Sequence, residues 1–289
     1  MIVLVFLSLL LSTYSLLDNE TTTHIDNKFI MHLHNISRTI SEKDIIDRLH
    51  GKTVNIKIGV YNSANTFTSF GNKHFWIEFD PLNKYTITNH SMLLPFIVTP
   101  DDNDYSNFYH CEMGACSSIY RPSGKFPTFK LPEMVDYMTT SCNKISDQNI
   151  NIRLWDKPSN ISHTVYFATS SSLACYNTSS YSRPLKHPSI NLNSLLRWIP
   201  TTVNYLDIDA QGADLAILYS ITNNLHKIRH IKVECQRRPL YYMYDSAIVN
   251  ECDDIITFLQ NRSFSLKELE VNNCGISEYN LYFTNIQKK

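Results

Sequence analysis

The stretch VNYLDIDAQGADLAIL, residues 203–218, joins a strand pattern directly to a helix pattern. Residues 203–208 have the β-branched and apolar content of a strand, and Leu215 and Leu218 follow helical spacing. Gly212 permits a tight turn between the two, and a carboxylate at Asp214 in the first helical turn favours the helix dipole. A strand that turns at once into a helix is typical of β/α units, which build parallel sheets.

The rest of the chain repeats this alternation. Further strands are predicted at 53–61, 73–81, 91–102 and 228–235, helices at 42–49, 194–200 and 248–259, and a hairpin at 266–285. We therefore predict an α/β fold with a Rossmann-like doubly wound sheet, mostly parallel strands and a C-terminal antiparallel β-hairpin. Such sheets bind ligands beyond the carboxyl ends of their strands.

The predicted organisation is one main domain with a short leader. Residues 1–17 read as a signal peptide or short anchor, 18–49 as an extension with a short helix, and 50–289 as the domain, with an irregular insertion at about 123–190. The apolar run from Ile2 to Leu11 is too short to span a bilayer, which takes about 20 residues, and has the length of a signal-peptide core. A buried first strand or helix is the alternative.

Two other features bear on the cell compartment. N-x-S/T glycosylation motifs begin at Asn19, Asn35, Asn89, Asn160, Asn177 and Asn261. The seven cysteines form no C-x-x-C motif. In an oxidising lumen they could form one or two disulfides, whose pairing the sequence does not give. We expect a secreted protein, or one in the lumen of the endoplasmic reticulum or Golgi.

The charge balance limits the partners. With 26 basic and 27 acidic residues the formal net charge is -1, so no strong field attracts nucleic acid or acidic lipid. We expect a small-molecule or glycan substrate, no nucleic acid, and no stable membrane partner unless the N-terminal segment is an uncleaved anchor.

Acidic residues mark the ends of three predicted strands: Glu78, Asp209 and Glu234. Because carboxyl ends of parallel strands meet at one edge of a sheet, we expect these side chains to converge on one crevice. Asp207 shares a face with Asp209, since alternate strand residues point the same way. A metal-dependent hydrolase using Asp207, Asp209 and Glu234 is one hypothesis, but no histidine joins them at ligand spacing, so we predict no metal.

The segment VNYLDIDAQGADLAIL resembles the signature of the FkbM-type methyltransferases: a strand ending in aspartate, then an acid or Gln, Gly, a small residue and an acid. HFWIEFDPLNKY is similar to the family's second-strand acid followed by Pro. The segment from LLPFIVTP to CSSIYRP is similar to the family's third strand and to a hairpin that ends in a Ser-Ser pair. SINLNSLLRWIP and NNCGISEYNLYF match its Leu-rich helix and closing hairpin. The resemblance covers roughly residues 50–286.

The resemblance implies an S-adenosylmethionine-dependent O-methyltransferase acting on a sugar or other small-molecule hydroxyl. Gly59 would lie beside the methionine part of the cofactor, Glu78 would bind the ribose hydroxyls and Thr99 would lie near the adenine. Asp209 and Gln211 would face the sulfonium and the acceptor. Asp209 is a candidate catalytic base, because methyl transfer to a hydroxyl needs a group that accepts or orients the proton.

One departure from the family pattern raises an alternative. The family's first strand ends in an acid and a Gly-rich loop, D-x-G-x-x-x-G, whereas IKIGVYNSANTF has Lys57 at the acid position and one glycine. A lysine beside a sulfonium is unfavourable. The alternative is therefore a secreted non-enzymatic relative, a pseudoenzyme or binding protein that keeps the fold without methyl transfer.

Overall fold

A computed structural model describes residues 42–59, 73–111, 117–125, 151–154, 181–237, 242–273 and 278–287. The predicted signal peptide, most of the insertion at 123–190 and the residues directly after Gly59 lie outside these ranges. Within them, no helix is both long and apolar enough to cross a membrane.

The described chain contains 14 strands and four α-helices. The first strands are β1 Thr53–Ile58, β2 His74–Phe79, β3 Thr86–Ile87, β4 Ser91–Leu94, β5 Ile97–Thr99, β6 Tyr105–Phe108 and β7 Arg121–Pro122. The remaining strands are β8 Asn151–Leu154, β9 Leu185–Asn191, β10 Val203–Ile208, β11 Ile228–Gln236, β12 Tyr244–Asp245, β13 Phe264–Asn273 and β14 Glu278–Asn285. The helices are α1 Glu42–Leu49, α2 Leu192–Trp198, α3 Asp214–Ser220 and α4 Cys252–Gln260, and a 3₁₀ helix spans Thr222–Lys227.

The main sheet is mixed but mostly parallel. Its nine strands run in the order β3-β4-β2-β1-β10-β11-β14-β13-β8. The strands β4, β2, β1, β10 and β11 are parallel to one another, and β14 is antiparallel to both of its neighbours. Because the chain moves outward from β1 to β2 and β4, then returns to β10 on the other side, strand order reverses between β1 and β10.

One face of this sheet is apolar and carries the core. Ile56, Leu206 and Ile231 are fully buried neighbours across β1, β10 and β11. All four helices add side chains to the same apolar cluster, including Leu49, Leu195, Leu218 and Ile255. Such alternation within each strand, with one face apolar and the other polar, sets the register, because a one-residue slip would turn the whole apolar set outward.

The opposite face carries a row of alternating charges. Glu78 on β2 is in register with Lys57 on β1, Lys57 with Asp207 on β10, and Asp207 with Lys232 on β11. The Lys232 ammonium lies 3.4 Å from an Asp207 carboxylate oxygen. Burial lowers the pKa of Lys232, but Asp207, Asp209 and Glu234 outweigh that effect and raise it. Opposite charges on neighbouring strands stabilise this register.

Most of the elements expected from the sequence are confirmed. The strand predicted at 91–102 is wrong in extent, because it is two strands that belong to different sheets. Pro95 lies between β4 and β5 and has no N–H to continue a ladder, and β5 pairs with β9 instead. At the C-terminus, β13 and β14 pair antiparallel as expected for a hairpin, and β8 pairs with β13 beyond them.

Gly59 lies where the carboxyl ends of β1 and β10 come into close contact. Its backbone has φ +80°, and a Cβ atom there would lie 2.0 Å from the carbonyl oxygen of Asp209. Hydrogen bonds run from the Gly59 N–H to Phe79 O at 3.0 Å and from the Asp209 N–H to Ile58 O at 3.1 Å. A glycine is required here for both conformation and space.

Replacing Gly59 by alanine therefore combines two costs. We expect Gly59→Ala to lower the free energy of unfolding by more than about 2 kcal/mol, from backbone strain and the clash with Asp209. Gly51→Ala is the matched control, because Gly51 has φ +69° but nothing within 4 Å of its would-be Cβ. Chemical denaturation of both variants separates strain from clash. An equal loss of unfolding free energy in the two variants would contradict the close approach of Gly59 to the Asp209 carbonyl.

Candidate active site

A cavity lies beyond the carboxyl ends of β1, β2 and β10. Its polar lining consists of Asp80, Ser117, Ser118, Asp209 and Gln211. The described apolar lining is Ile58, Phe79, Pro81, Leu82, Phe96, Ile97, Val98, Phe108, Ile119 and Ala210, together with Gly59. No lysine, arginine or histidine of the described residues lines it. Such walls suit a ligand that is uncharged or cationic and carries hydroxyl groups.

The cavity is small. Its volume is about 80 Å³, against about 300–1,000 Å³ for sites that enclose drug-sized ligands. A nucleoside cofactor would need it to widen.

Gln211 connects most of the polar groups around the cavity through hydrogen bonds. Its Nε2 donates to Asp209 Oδ1 and to Glu234 Oε2, both at 2.8 Å, and its Oε1 accepts from the Tyr244 hydroxyl at 2.9 Å. The Gln211 backbone has φ +49°, and its carbonyl accepts from Ser118 Oγ at 2.7 Å. Every polar group of this side chain is therefore committed, which holds the amide in one orientation.

A second carboxylate secures the turn behind Gln211. Asp214, fully buried at the start of α3, accepts the Ala210 and Gly212 N–H groups, each at 3.2 Å. The Asn250 amide also donates to it at 3.1 Å. Burial raises the pKa of Asp214 well above its ordinary value, as does Asp209. Asp214 thus does more than favour the dipole of its helix, because it ties the turn to a distant loop.

The structure brings some of the predicted site residues together and not others. Gly59, Asp209 and Gln211 line the cavity, and Glu234 is bound to Gln211 behind it. Glu78 does not line it, since its side chain is buried on the polar face in register with Lys57. Thr99 is buried, and its hydroxyl donates to Asp101 O at 2.7 Å rather than lining the cavity.

Asp80 stands at the cavity where Glu78 was expected. It follows the last residue of β2, its N–H donates to Leu94 O at 3.0 Å, and its Oδ1 accepts from the Leu82 N–H at 2.8 Å. A signal for it exists in the sequence EFDP, where Asp80 is the acid immediately before Pro81. Ser118 is the second residue of the Ser-Ser pair in CSSIYRP, whereas Tyr244 reaches the site from β12 and no local pattern identifies it.

Lys57 lies away from the cavity. Its cross-strand neighbours are Glu78 and Asp207, so it occupies the row of alternating charges on the polar face. A lysine at the acid position of the first strand is thereby balanced by carboxylates on both sides. It does not line the cavity.

The chain matches the family model described as the methyltransferase FkbM domain over residues 58–266, which is 209 of its 289 residues. The protein belongs to the FkbM methyltransferase family. The matched span contains every residue that lines the cavity. No curated protein and no solved structure matches the chain significantly.

The described part of this FkbM family member offers no metal centre. No group of three or more His, Cys, Asp or Glu residues in it could hold an ion. Asp207, one proposed ligand, instead pairs with Lys232. The hydrolase hypothesis therefore has no support among these residues.

A disulfide lies next to the site. Cys235 and Cys252, which are 17 residues apart, link the end of β11 to the start of α4. Cys235 directly follows Glu234, and the loop closed by the bond contains Tyr244 and Asn250. The cross-link therefore fixes the loop whose side chains contact Gln211 and Asp214.

Glu78 is predicted to make stability depend on pH. Burial raises its pKa to about 7 from an ordinary 4.5, although Lys57 lowers it. Its stabilising contribution is complete below the unfolded value and is lost as pH rises through about 7. We expect Glu78→Gln to gain stability relative to the native protein between pH 5 and pH 8, by at most about 3 kcal/mol.

Urea denaturation at several pH values measures this difference. Glu268→Gln is the control for removing a carboxylate from a half-exposed position of the same sheet. A stability difference between Glu78→Gln and the native protein that stays constant across the range would contradict the prediction.

Proposed function

We propose that the protein is an S-adenosylmethionine-dependent O-methyltransferase acting on a sugar or other small-molecule hydroxyl, built on a Rossmann-like sheet. The observation that carries the proposal is the position of the cavity. It lies at the carboxyl ends of β1 and β10, where strand order reverses, and this is where open α/β sheets bind their ligands. The family match, which begins at the last residue of β1 and contains all of β10, supports it.

The cavity residues fit such a cofactor in chemistry. Gly59 lets the end of β1 approach the ligand without a side chain. Asp80, rather than Glu78, accepts hydrogen bonds from the ribose hydroxyls, because an acid at the end of the second strand has that role in nucleotide-binding sheets. Phe96, Ile97 and Val98 supply an apolar wall for the adenine in place of Thr99.

Asp209 and Gln211 act on the acceptor side. The cofactor supplies a methyl group and a positive charge, which a cavity with carboxylates and no described cation accommodates. The half-buried Asp209 carboxylate would orient the acceptor hydroxyl and would take up its proton when the methyl group leaves sulfur for the hydroxyl oxygen. The Gln211 amide holds Asp209 at 2.8 Å and restricts its rotation.

Calorimetric titration with S-adenosylmethionine tests cofactor binding. We expect binding by the native protein and a loss of at least about tenfold in affinity for Asp80→Asn, because a hydrogen bond between a carboxylate and a hydroxyl contributes about 1.5–3 kcal/mol. Glu78→Gln is the matched control, because Glu78 lies two residues before Asp80 within β2, and it should bind normally. If Glu78→Gln lost more affinity than Asp80→Asn, Glu78 rather than Asp80 would bind the ribose hydroxyls.

A non-enzymatic relative is the second candidate, favoured by the small cavity volume of about 80 Å³. Transfer of radiolabelled methyl from S-adenosylmethionine to a glycan extract separates the two. Methyl transfer that is lost in Asp209→Asn excludes the non-enzymatic candidate. A folded native protein that gives no binding heat at millimolar cofactor excludes the methyltransferase.

We further propose a location in the secretory pathway. The predicted signal peptide, the disulfide between Cys235 and Cys252 and the glycosylation motifs support it, since disulfides persist in oxidising compartments. Two motif asparagines, Asn89 and Asn261, fall within the described residues, and both are exposed.

Expression in a secreting eukaryotic cell tests this location. We expect the protein in the medium, with a mass that falls on enzymatic deglycosylation, and a smaller fall for Asn89→Gln or Asn261→Gln. Retention in the cytosol with an unmodified mass would contradict the proposal.

A further inference from the structure

Asp209 and Glu234 form a carboxyl pair behind the cavity wall. The two residues lie at the carboxyl ends of neighbouring strands, and one amide nitrogen of Gln211 donates to both at 2.8 Å. Both carboxyl oxygens lie 2.8 Å from the same nitrogen atom, so the two carboxyl groups are close neighbours. Asp209 lines the cavity, whereas Glu234 is only 7% exposed and does not.

Two carboxyl groups at this spacing hold one proton between them. Like charges so close cannot both persist in a buried site. Burial penalises the charged form of a carboxyl group, so the more deeply buried group of the pair is the one that stays neutral. The geometry therefore assigns the proton to Glu234.

The groups around Glu234 strengthen this assignment. Asp214 faces it from α3 and Glu278 from β14, and both are acidic. Tyr244 on β12 is buried, and its hydroxyl donates to the amide oxygen of Gln211. Lys232, two residues earlier on β11, is a cation close to the pair among the described residues, since Asp209 and Glu234 help to raise its pKa, and it forms an ion pair with Asp207. Burial, then Asp209, Glu278 and Asp214, raise the pKa of Glu234 well above its ordinary value.

We propose that Glu234, as its neutral acid, is a positioning residue that holds the Asp209 carboxylate toward the cavity, together with the Gln211 amide and the Tyr244 hydroxyl. The role in catalysis rests on the proposed methyltransferase function. Glu234 donates its proton to one Asp209 oxygen and Gln211 donates to an oxygen as well, which leaves the remaining lone pairs of Asp209 for the acceptor hydroxyl.

A dependence on pH follows from this arrangement. When alkaline pH removes the Glu234 proton, the pair gains a second negative charge and the hydrogen bond that orients Asp209 is lost. The rate of methyl transfer should then fall on the alkaline side, although Glu234 does not touch the substrate.

Glu234→Gln is the informative variant, because its amide can still donate to Asp209 but cannot titrate. We expect its kcat near neutral pH to stay within about threefold of the native value and its alkaline decline to disappear, whereas Glu234→Ala loses about tenfold or more. Glu270→Gln is the matched control, since Glu270 is a buried glutamate on β13 bound to Asn280 and Tyr282. It should keep the native pH profile. An unchanged alkaline limb in Glu234→Gln would overturn the proposal.

An infrared measurement tests the proton independently of activity. The spectrum of the native protein at neutral pH should contain a protonated-carboxyl band that Glu234→Gln loses and Glu270→Gln retains. If no methyl transfer occurs with any glycan but the band behaves as expected, the proposed function fails and the carboxyl pair stands. A native spectrum without a component lost in Glu234→Gln would overturn the proposal, whatever the activity.

Discussion

The site depends on the close approach of β1 and β10 at Gly59. With the Asp209 carbonyl 2.0 Å from the position of a Gly59 Cβ, the two strand ends leave no space for a side chain. The contact aligns Asp209 with the ends of β1 and β2, because hydrogen bonds continue from Asp209 to Ile58 and from Gly59 to Phe79. The cavity is the space directly beyond these bonds.

The polar face of the sheet explains the two residues that most depart from expectation. Lys57 breaks the family pattern, and Asp207 puts a carboxylate inside an apolar run. The register makes them direct neighbours, and Glu78 and Lys232 extend the row on either side. Each charge is flanked by opposite charge, which lowers the cost of burying it. Both residues therefore have a structural explanation, and the next carboxylates along, Asp80 and Asp209, are the ones that line the cavity.

Much of the fold was predictable because it is encoded locally. Strand and helix patterns in the last hundred residues correspond to β10, α3, β11, α4, β13 and β14. Asp209 and Glu234 both bind Gln211, but of the three strand-end acids expected to converge on one crevice, only Asp209 lines the cavity. The identity of the second-strand acid was not predictable from periodicity, because Glu78 and Asp80 have the same alternation and only the end of β2 separates them.

The sequence by itself determined the alternation of strands and helices, the tight turn at Gly212 and the membership of the FkbM family, since each depends on residues close together in the chain. Only the tertiary structure decided which carboxylates reach the cavity, that Lys57 faces Glu78 and Asp207, and that Ser118 and Tyr244 hold Gln211. The physical reason is that side-chain convergence depends on register between strands distant in sequence. Register is a property of the packed sheet and is not encoded in any one segment.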